Sequence, residues 1–155
     1  MSPNGCQDDG RNRACATTVK EMSFPAMLES VPRAIEFLKR NLEELGYSSR
    51  VQTKFAVIID EIVSNIAKFA YGSSTGDVTI RLLTERDGRV VEISFIDEGI
   101  AFNPLDMPRV DTETAVANRI IGGQGILIVQ KLADEVEYER KDGKNILRIR
   151  KHIEY

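Results

Sequence analysis

Between Ser48 and Ala70 the chain carries an apolar stripe, Phe55, Ile58, Ile59, Ile62, Ile66 and Phe69, at three- and four-residue spacing. That spacing lays the stripe along one face of a long helix, which has to be buried against another layer. Ser48 or Ser49 opens this helix and Tyr71-Gly72-Ser73-Ser74 stops it. The segments around it supply the covering layer, because most of them alternate with the period of strands.

Val78, Ile80 and Leu82 alternate, Asp87-Gly88 offers a hairpin turn, and Val91, Ile93 and Phe95 alternate on the return. A second hairpin runs Val136–Arg140, Asp142-Gly143, Ile146–Arg150. Thr17–Phe24 reads as a first strand with Val19 and Met22 or Phe24 as its apolar positions. Ser30 and Pro32 open a shorter helix, Ser30 as the capping side chain. Ile35, Leu38, Leu42 and Leu45 repeat along it, and Gly46 ends it. A short apolar helix follows at Gly125–Leu132. The order predicts an α+β, two-layer sandwich: a mostly antiparallel sheet covered on one face by about three helices. Residues 1–16, rich in Gly, Asn and charge, read as a disordered leader, and residues 17–155 as one domain.

Charge narrows the partners. With 21 basic and 24 acidic residues the net charge is -3, which gives no bulk attraction to nucleic acid. No apolar run approaches the roughly 20 residues that span a bilayer, so the expected setting is cytoplasmic, without membrane contact. Cys6 and Cys15 lie in the leader, with no histidine nearby, and make neither a disulfide framework nor a metal site. The single histidine, His152, falls just beyond the last predicted strand and reads as a surface residue.

Three groups of residues carry possible chemistry. Glu61 and Asn65 stand four apart on the long helix, one above the other on a face offset from the core stripe. An Asn oxygen can join a Mg²⁺ shell otherwise made of phosphates and water, and a Glu can orient or deprotonate an incoming hydroxyl. By themselves the two read more simply as a solvated helix flank. Asp97, at the exit of a strand, is followed by Gly99, so a carboxylate stands beside bare backbone. It can accept from an exocyclic amine while a flat ring lies close, or it can be an ordinary polar turn. Gly122, Gly123 and Gly125 lead straight into an apolar helix, where free N–H groups and the helix dipole favour an anion. The loop lacks the Gly-Lys-Ser/Thr of a Walker A sequence and the spacing of a dinucleotide fingerprint. Between Asp97 and Gly125 periodicity disappears, and a segment of that length is commonly a lid, here residues 103–121.

Taken in this order, the three groups resemble the GHKL-type (Bergerat) ATP-binding domains shared by DNA gyrase, the 90-kilodalton heat-shock chaperones, histidine kinases and the MutL proteins. The resemblance covers residues 17–151. It is greatest with the stand-alone anti-sigma-factor serine/threonine-protein kinases. The residues that carry it are Glu61-x-x-x-Asn65 before Ala70-Tyr71, Phe102-Asn103-Pro104 after Asp97-Glu98-Gly99, and Gly123-Gln124-Gly125-Ile126 before Lys131–Val136.

The resemblance implies a histidine-kinase-like ATPase fold with ATP and Mg²⁺ as its cofactors. Asn65 would be the metal ligand and Glu61 the base for a substrate serine. Asp97 would be the partner of the adenine amine, and Gly99 would leave room for the base. Phe102 would belong to the nucleotide site, and Gly122, Gly123 and Gly125 would cradle phosphate. Two positions depart from the pattern. Phe69 stands where relatives often have a histidine, and Ile121 where some have an arginine near the terminal phosphate, with Arg119 two positions away as a substitute. The implied partners are an anti-sigma antagonist protein and a sigma factor, with a possible homodimer through the first helix or strand. Glu61 favours a phosphorylating enzyme. Ile121 favours the alternative, a nucleotide-dependent switch that grips a partner without transferring phosphate. A histidine kinase is not expected, since the single histidine, His152, falls beyond the last predicted strand and no dimerising helical pair is read before the domain.

Overall fold

A computed structural model describes residues 16–85, 87–106 and 124–154. Five strands form one antiparallel sheet: β1 (Ala16–Pro25), β2 (Asp77–Glu85), β3 (Val90–Asp97), β4 (Glu135–Lys141) and β5 (Lys144–His152), in the spatial order β1-β2-β3-β5-β4. Three helices, α1 (Val31–Glu44), α2 (Ser49–Phe69) and α3 (Gln124–Leu132), pack beside one another with α2 in the middle. The fold is the expected α+β two-layer arrangement. Residues 1–15 of the leader, most of the lid, Arg119, Ile121, Gly122 and Gly123 lie outside the described residues, while Ala16, assigned to the leader from sequence, already belongs to β1.

Alternation sends Phe24, Ile80, Leu82, Ile93, Phe95 and Ile149 from the sheet into a common core with Leu38 and Leu42 of α1 and Phe55, Ile58, Ile59 and Ile62 of α2. Truncating any of these large side chains to Ala would cost about 2–5 kcal/mol. The opposite face of the sheet is kept polar by crossed charges. Arg150 meets Glu85 at 2.9 Å and Glu135 at 3.6 Å, and Arg148 meets Glu139 at 3.0 Å. Arg81 bonds Glu21 at 2.7 Å on the same face.

The turns follow their sequences. Gly88 takes φ 70, and Asp142 and Gly143 take φ 52 and 75, both left-handed as a two-residue hairpin turn requires. Gly46, at φ 86, ends α1. Ser48 caps α2 by accepting from the Val51 N–H at 3.3 Å.

Three sequence expectations change. Ser30 precedes α1 but its side chain makes no capping bond, because a 3-10 turn over Leu28–Ser30 holds its backbone in helical geometry and buries it. Val19 and Met22 are exposed on β1, an edge strand, and only Phe24 of that set enters the core. Phe69 is 42% exposed. The stripe it belongs to outruns the packed core, and its last side chain reaches the mouth of a cavity instead.

Candidate functional site

The carboxyl end of α2 and the end of β3 meet through Tyr71. Its hydroxyl donates to the Asp77 carbonyl at 2.6 Å and accepts from the Glu98 N–H at 2.9 Å. The ring lies where a side chain at residue 76 would stand, so Gly76 is needed beside it. Burial, with Asp97, Glu98 and Asp77 nearby, pushes the Tyr71 phenol above its ordinary pKa against the lowering effect of the Glu98 N–H. The turn after β3 is pressed onto the helix end: Ile100 N–H donates to the Ala70 carbonyl at 2.9 Å. A side chain at Gly99 would collide with that same carbonyl. Glycine is therefore demanded at 99 by backbone packing.

Beside this junction lies a cavity of about 500 Å³, including the space at its open mouth. Ile62, Ile66, Phe95 and Leu147 give it apolar walls, and Asn65, Asp97 and Asn145 bring polar groups into it. Phe69, Ile100 and Phe102 stand partly exposed around the opening. An apolar slot with a few convergent polar groups is the usual form of a small-molecule site. Asp97 is buried, and its Oδ1 accepts from the Gly99 N–H at 2.9 Å and from Asn145 Nδ2 at 3.0 Å. Among the described residues no hydrogen bond reaches Oδ2, so that oxygen is the one left for a ligand.

Of the residues singled out from sequence, the structure brings Asn65, Asp97 and Phe102 to this cavity. Glu61 stands one turn before Asn65, against the first turn of α3. A side chain at Gly125 would strike the Glu61 carboxylate and approach Asn65 Nδ2 to 3.6 Å. The amino end of α3, where unpaired N–H groups gather, is thus held directly beside both α2 residues. Burial is the main cause that raises the Glu61 pKa above that of an ordinary glutamate, with Asp60 adding to it and Lys68 opposing it.

Asn65 suits magnesium in one way only. Among the described residues no cluster of three His, Cys, Asp or Glu side chains could hold a metal. A cation at Asn65 would therefore take most of its oxygens from a ligand and water, which is the habit of Mg²⁺.

Sequence reasoning missed Asn145 and Tyr138. Asn145 lies directly opposite Asp97 in the β3–β5 ladder and is buried. Its Nδ2 donates to Asp97 and, at 2.8 Å, to the Ile100 carbonyl. Its Oδ1 accepts from the Phe102 N–H and the Tyr138 hydroxyl. The available signal was its place in the inward-facing series Asn145, Leu147, Ile149, where a polar side chain needs a reason.

Comparison with known proteins agrees with this fold. A model of the histidine kinase-like ATPase domain matches residues 24–151. The chain is 24% identical over 106 residues to the serine/threonine-protein kinase BtrW of Bordetella bronchiseptica, covering 68% of this chain and 74% of the relative. It is 27% identical over 133 residues to the serine-protein kinase RsbW of Bacillus pumilus, covering 81% of each. Among solved structures, the RsbU and RsbW domains of a Mycobacterium tuberculosis protein superpose with a TM-score of 0.62 at 17% identity. That match covers 88% of this chain and 32% of the longer one. A chain of the SiaB–SiaC complex of Pseudomonas aeruginosa superposes at 0.50, also at 17% identity, over 89% of this chain and 91% of that one. No helix among the described residues is long and apolar enough to cross a membrane.

Proposed function

Because the chain belongs to the histidine kinase-like ATPase domain family, we propose that it is an ATP-dependent serine kinase of a partner-switching system. It phosphorylates an anti-sigma antagonist protein and otherwise sequesters a sigma factor. The observation that carries this reading is the convergence of Asn65 and Asp97 on one cavity, with Glu61 one turn away against Gly125. The kinase names of the two sequence relatives support the reaction class.

In this reading the adenine ring enters between the apolar walls and its exocyclic amine donates to Asp97 Oδ2. Asn65 would hold Mg²⁺, which when bound would neutralise phosphate charge. Gly125, with Gly122 and Gly123 before it, lets backbone N–H groups approach the phosphates, and Arg119 is the candidate for the terminal one. As the serine oxygen bonds to the terminal phosphorus, the bond from that phosphorus to the bridging oxygen breaks and ADP leaves. Glu61 takes the serine proton, and its raised affinity for protons suits that task. Most of the rate would come from positioning and charge neutralisation. For self-association, the exposed Val19 and Met22 on edge strand β1 offer apolar surface.

The test is transfer of the labelled terminal phosphate of ATP to a serine of an antagonist protein from the same cell. Label on the serine is expected. Bound ATP and bound partner without any transfer would replace the kinase by a nucleotide-dependent switch.

A further inference from the structure

The four hydrogen bonds of Asn145 leave its amide with no free donor and with both acceptor positions in use. Its orientation is fixed by them. Turned over, it would set an N–H₂ group against the Phe102 N–H and a carbonyl against both Asp97 and the Ile100 carbonyl. Asn145 therefore presents nothing of its own to a ligand. Its effect on one is exerted through Asp97.

That effect is specific. Asp97 Oδ1 already accepts from the Gly99 N–H at 2.9 Å, and Asn145 Nδ2 at 3.0 Å uses its second lone pair. A carboxylate with both oxygens open would suit guanine, whose adjacent N1–H and N2–H₂ groups match two oxygens side by side. A carboxylate with one oxygen open suits a base that offers a single exocyclic donor next to a ring acceptor, as adenine does. Tyr138 and Phe102, by holding Asn145 Oδ1, keep the donating end turned toward Asp97.

We propose that Asn145 is a positioning residue that sets the base preference of the cavity, closing Oδ1 of Asp97 so that adenine fits and the paired donor edge of guanine does not. The inference rests on the reading of the cavity as an adenine-nucleotide site. It adds what excludes the competing purine.

The experiment measures affinities of ATP, GTP and ITP for the full chain by calorimetry with magnesium. Inosine keeps N1–H and lacks the N2 amine, so it reports whether a second oxygen is within reach. In the unaltered protein GTP and ITP should both be weak and should bind within about threefold of each other, because the additional amine finds no partner. In Asn145→Leu, similar in size but without a donor, the preference for ATP over GTP should shrink by about tenfold, and GTP should overtake ITP. Tenfold is what roughly one hydrogen bond contributes. If Asn145→Leu fails to fold, the GTP-to-ITP comparison in the unaltered protein still decides.

GTP binding about tenfold better than ITP there, or an unchanged preference in folded Asn145→Leu, would overturn the inference while leaving the ATP site standing. Absence of ATP binding to the folded protein would remove the ATP site and this inference together.

Discussion

Gly125, in the first turn of α3, lies against the carboxylate of Glu61 on α2 so closely that no methyl group fits between them. The atom it would strike is the far end of a flexible side chain, and that decides how a substitution behaves. In Gly125→Ala the helix gains propensity, up to about 1 kcal/mol, while the Glu61 carboxylate has to swing away. Thermal stability should hold or rise slightly, and phosphoryl transfer should fall at least tenfold, the scale expected for a misplaced base. Parallel melting and transfer assays check it. Equal loss of both would mean that Gly125 serves only the fold.

Gly99 predicts the opposite pattern. The obstacle there is the Ala70 carbonyl, which is backbone and cannot turn aside. Gly99→Ala should cost about 1–3 kcal/mol, as overpacking does, and weaken nucleotide through displacement of Asp97. Urea unfolding with a nucleotide titration would show both. Stability equal to that of the unaltered protein would contradict the packing described.

The sites read from sequence were those set by local spacing. Glu61 and Asn65 share a face because helical residues four apart must, and Asp97 follows from the end of an alternating strand. Gly125 follows from glycines ahead of an apolar helix. Asn145 was invisible because its importance comes from lying across the ladder from Asp97, 48 residues distant in sequence. Only the β3–β5 register creates that relation. The Tyr71 hydroxyl is similar: the motif marks the residue, but nothing local says that it joins Asp77 to Glu98. Phe69 continued the α2 stripe and so looked like core. Periodicity cannot say where the layer beneath a helix stops.

Tyr71→Phe should remove both of those hydrogen bonds and leave the Glu98 N–H without its partner. The expected cost is about 1–3 kcal/mol, with weaker adenine-nucleotide binding as the Asp97 turn loosens. The phenol is raised in the folded state, so its neutral form favours folding. That contribution is whole below the unfolded tyrosine pKa and is lost as pH rises through the folded one. Tyr71→Phe should therefore flatten the alkaline limb of stability, read from melting temperatures across pH. An unchanged limb would separate Tyr71 from that loss.

Glu61 should set the acidic limb of the transfer rate. It acts as a base only when ionised, and burial holds its pKa above the ordinary glutamate range. The rate should fall as pH drops through that raised value, so the midpoint should lie above an ordinary carboxylate's. For stability the sign is reversed. The protonated form is favoured in the fold, a contribution present below the unfolded pKa and lost as pH rises through the folded one. Glu61→Gln should thus fold at least as well at neutral pH, bind ATP, and transfer roughly 10²- to 10⁴-fold more slowly. Transfer at the unaltered rate would remove Glu61 from its assigned role.

The central claim, that the cavity between α2 and β3 receives an adenine nucleotide against Asp97, is tested most directly by calorimetric titration of ATP with magnesium. The unaltered protein and Asp97→Asn are compared. Micromolar affinity, on the order of -8 kcal/mol, is expected for the first. Asp97→Asn should weaken it by about tenfold to a hundredfold, the loss of one hydrogen bond to a charged acceptor. A folded protein that takes up no adenine nucleotide, or an Asp97→Asn variant that binds ATP as tightly as the original, would contradict the account.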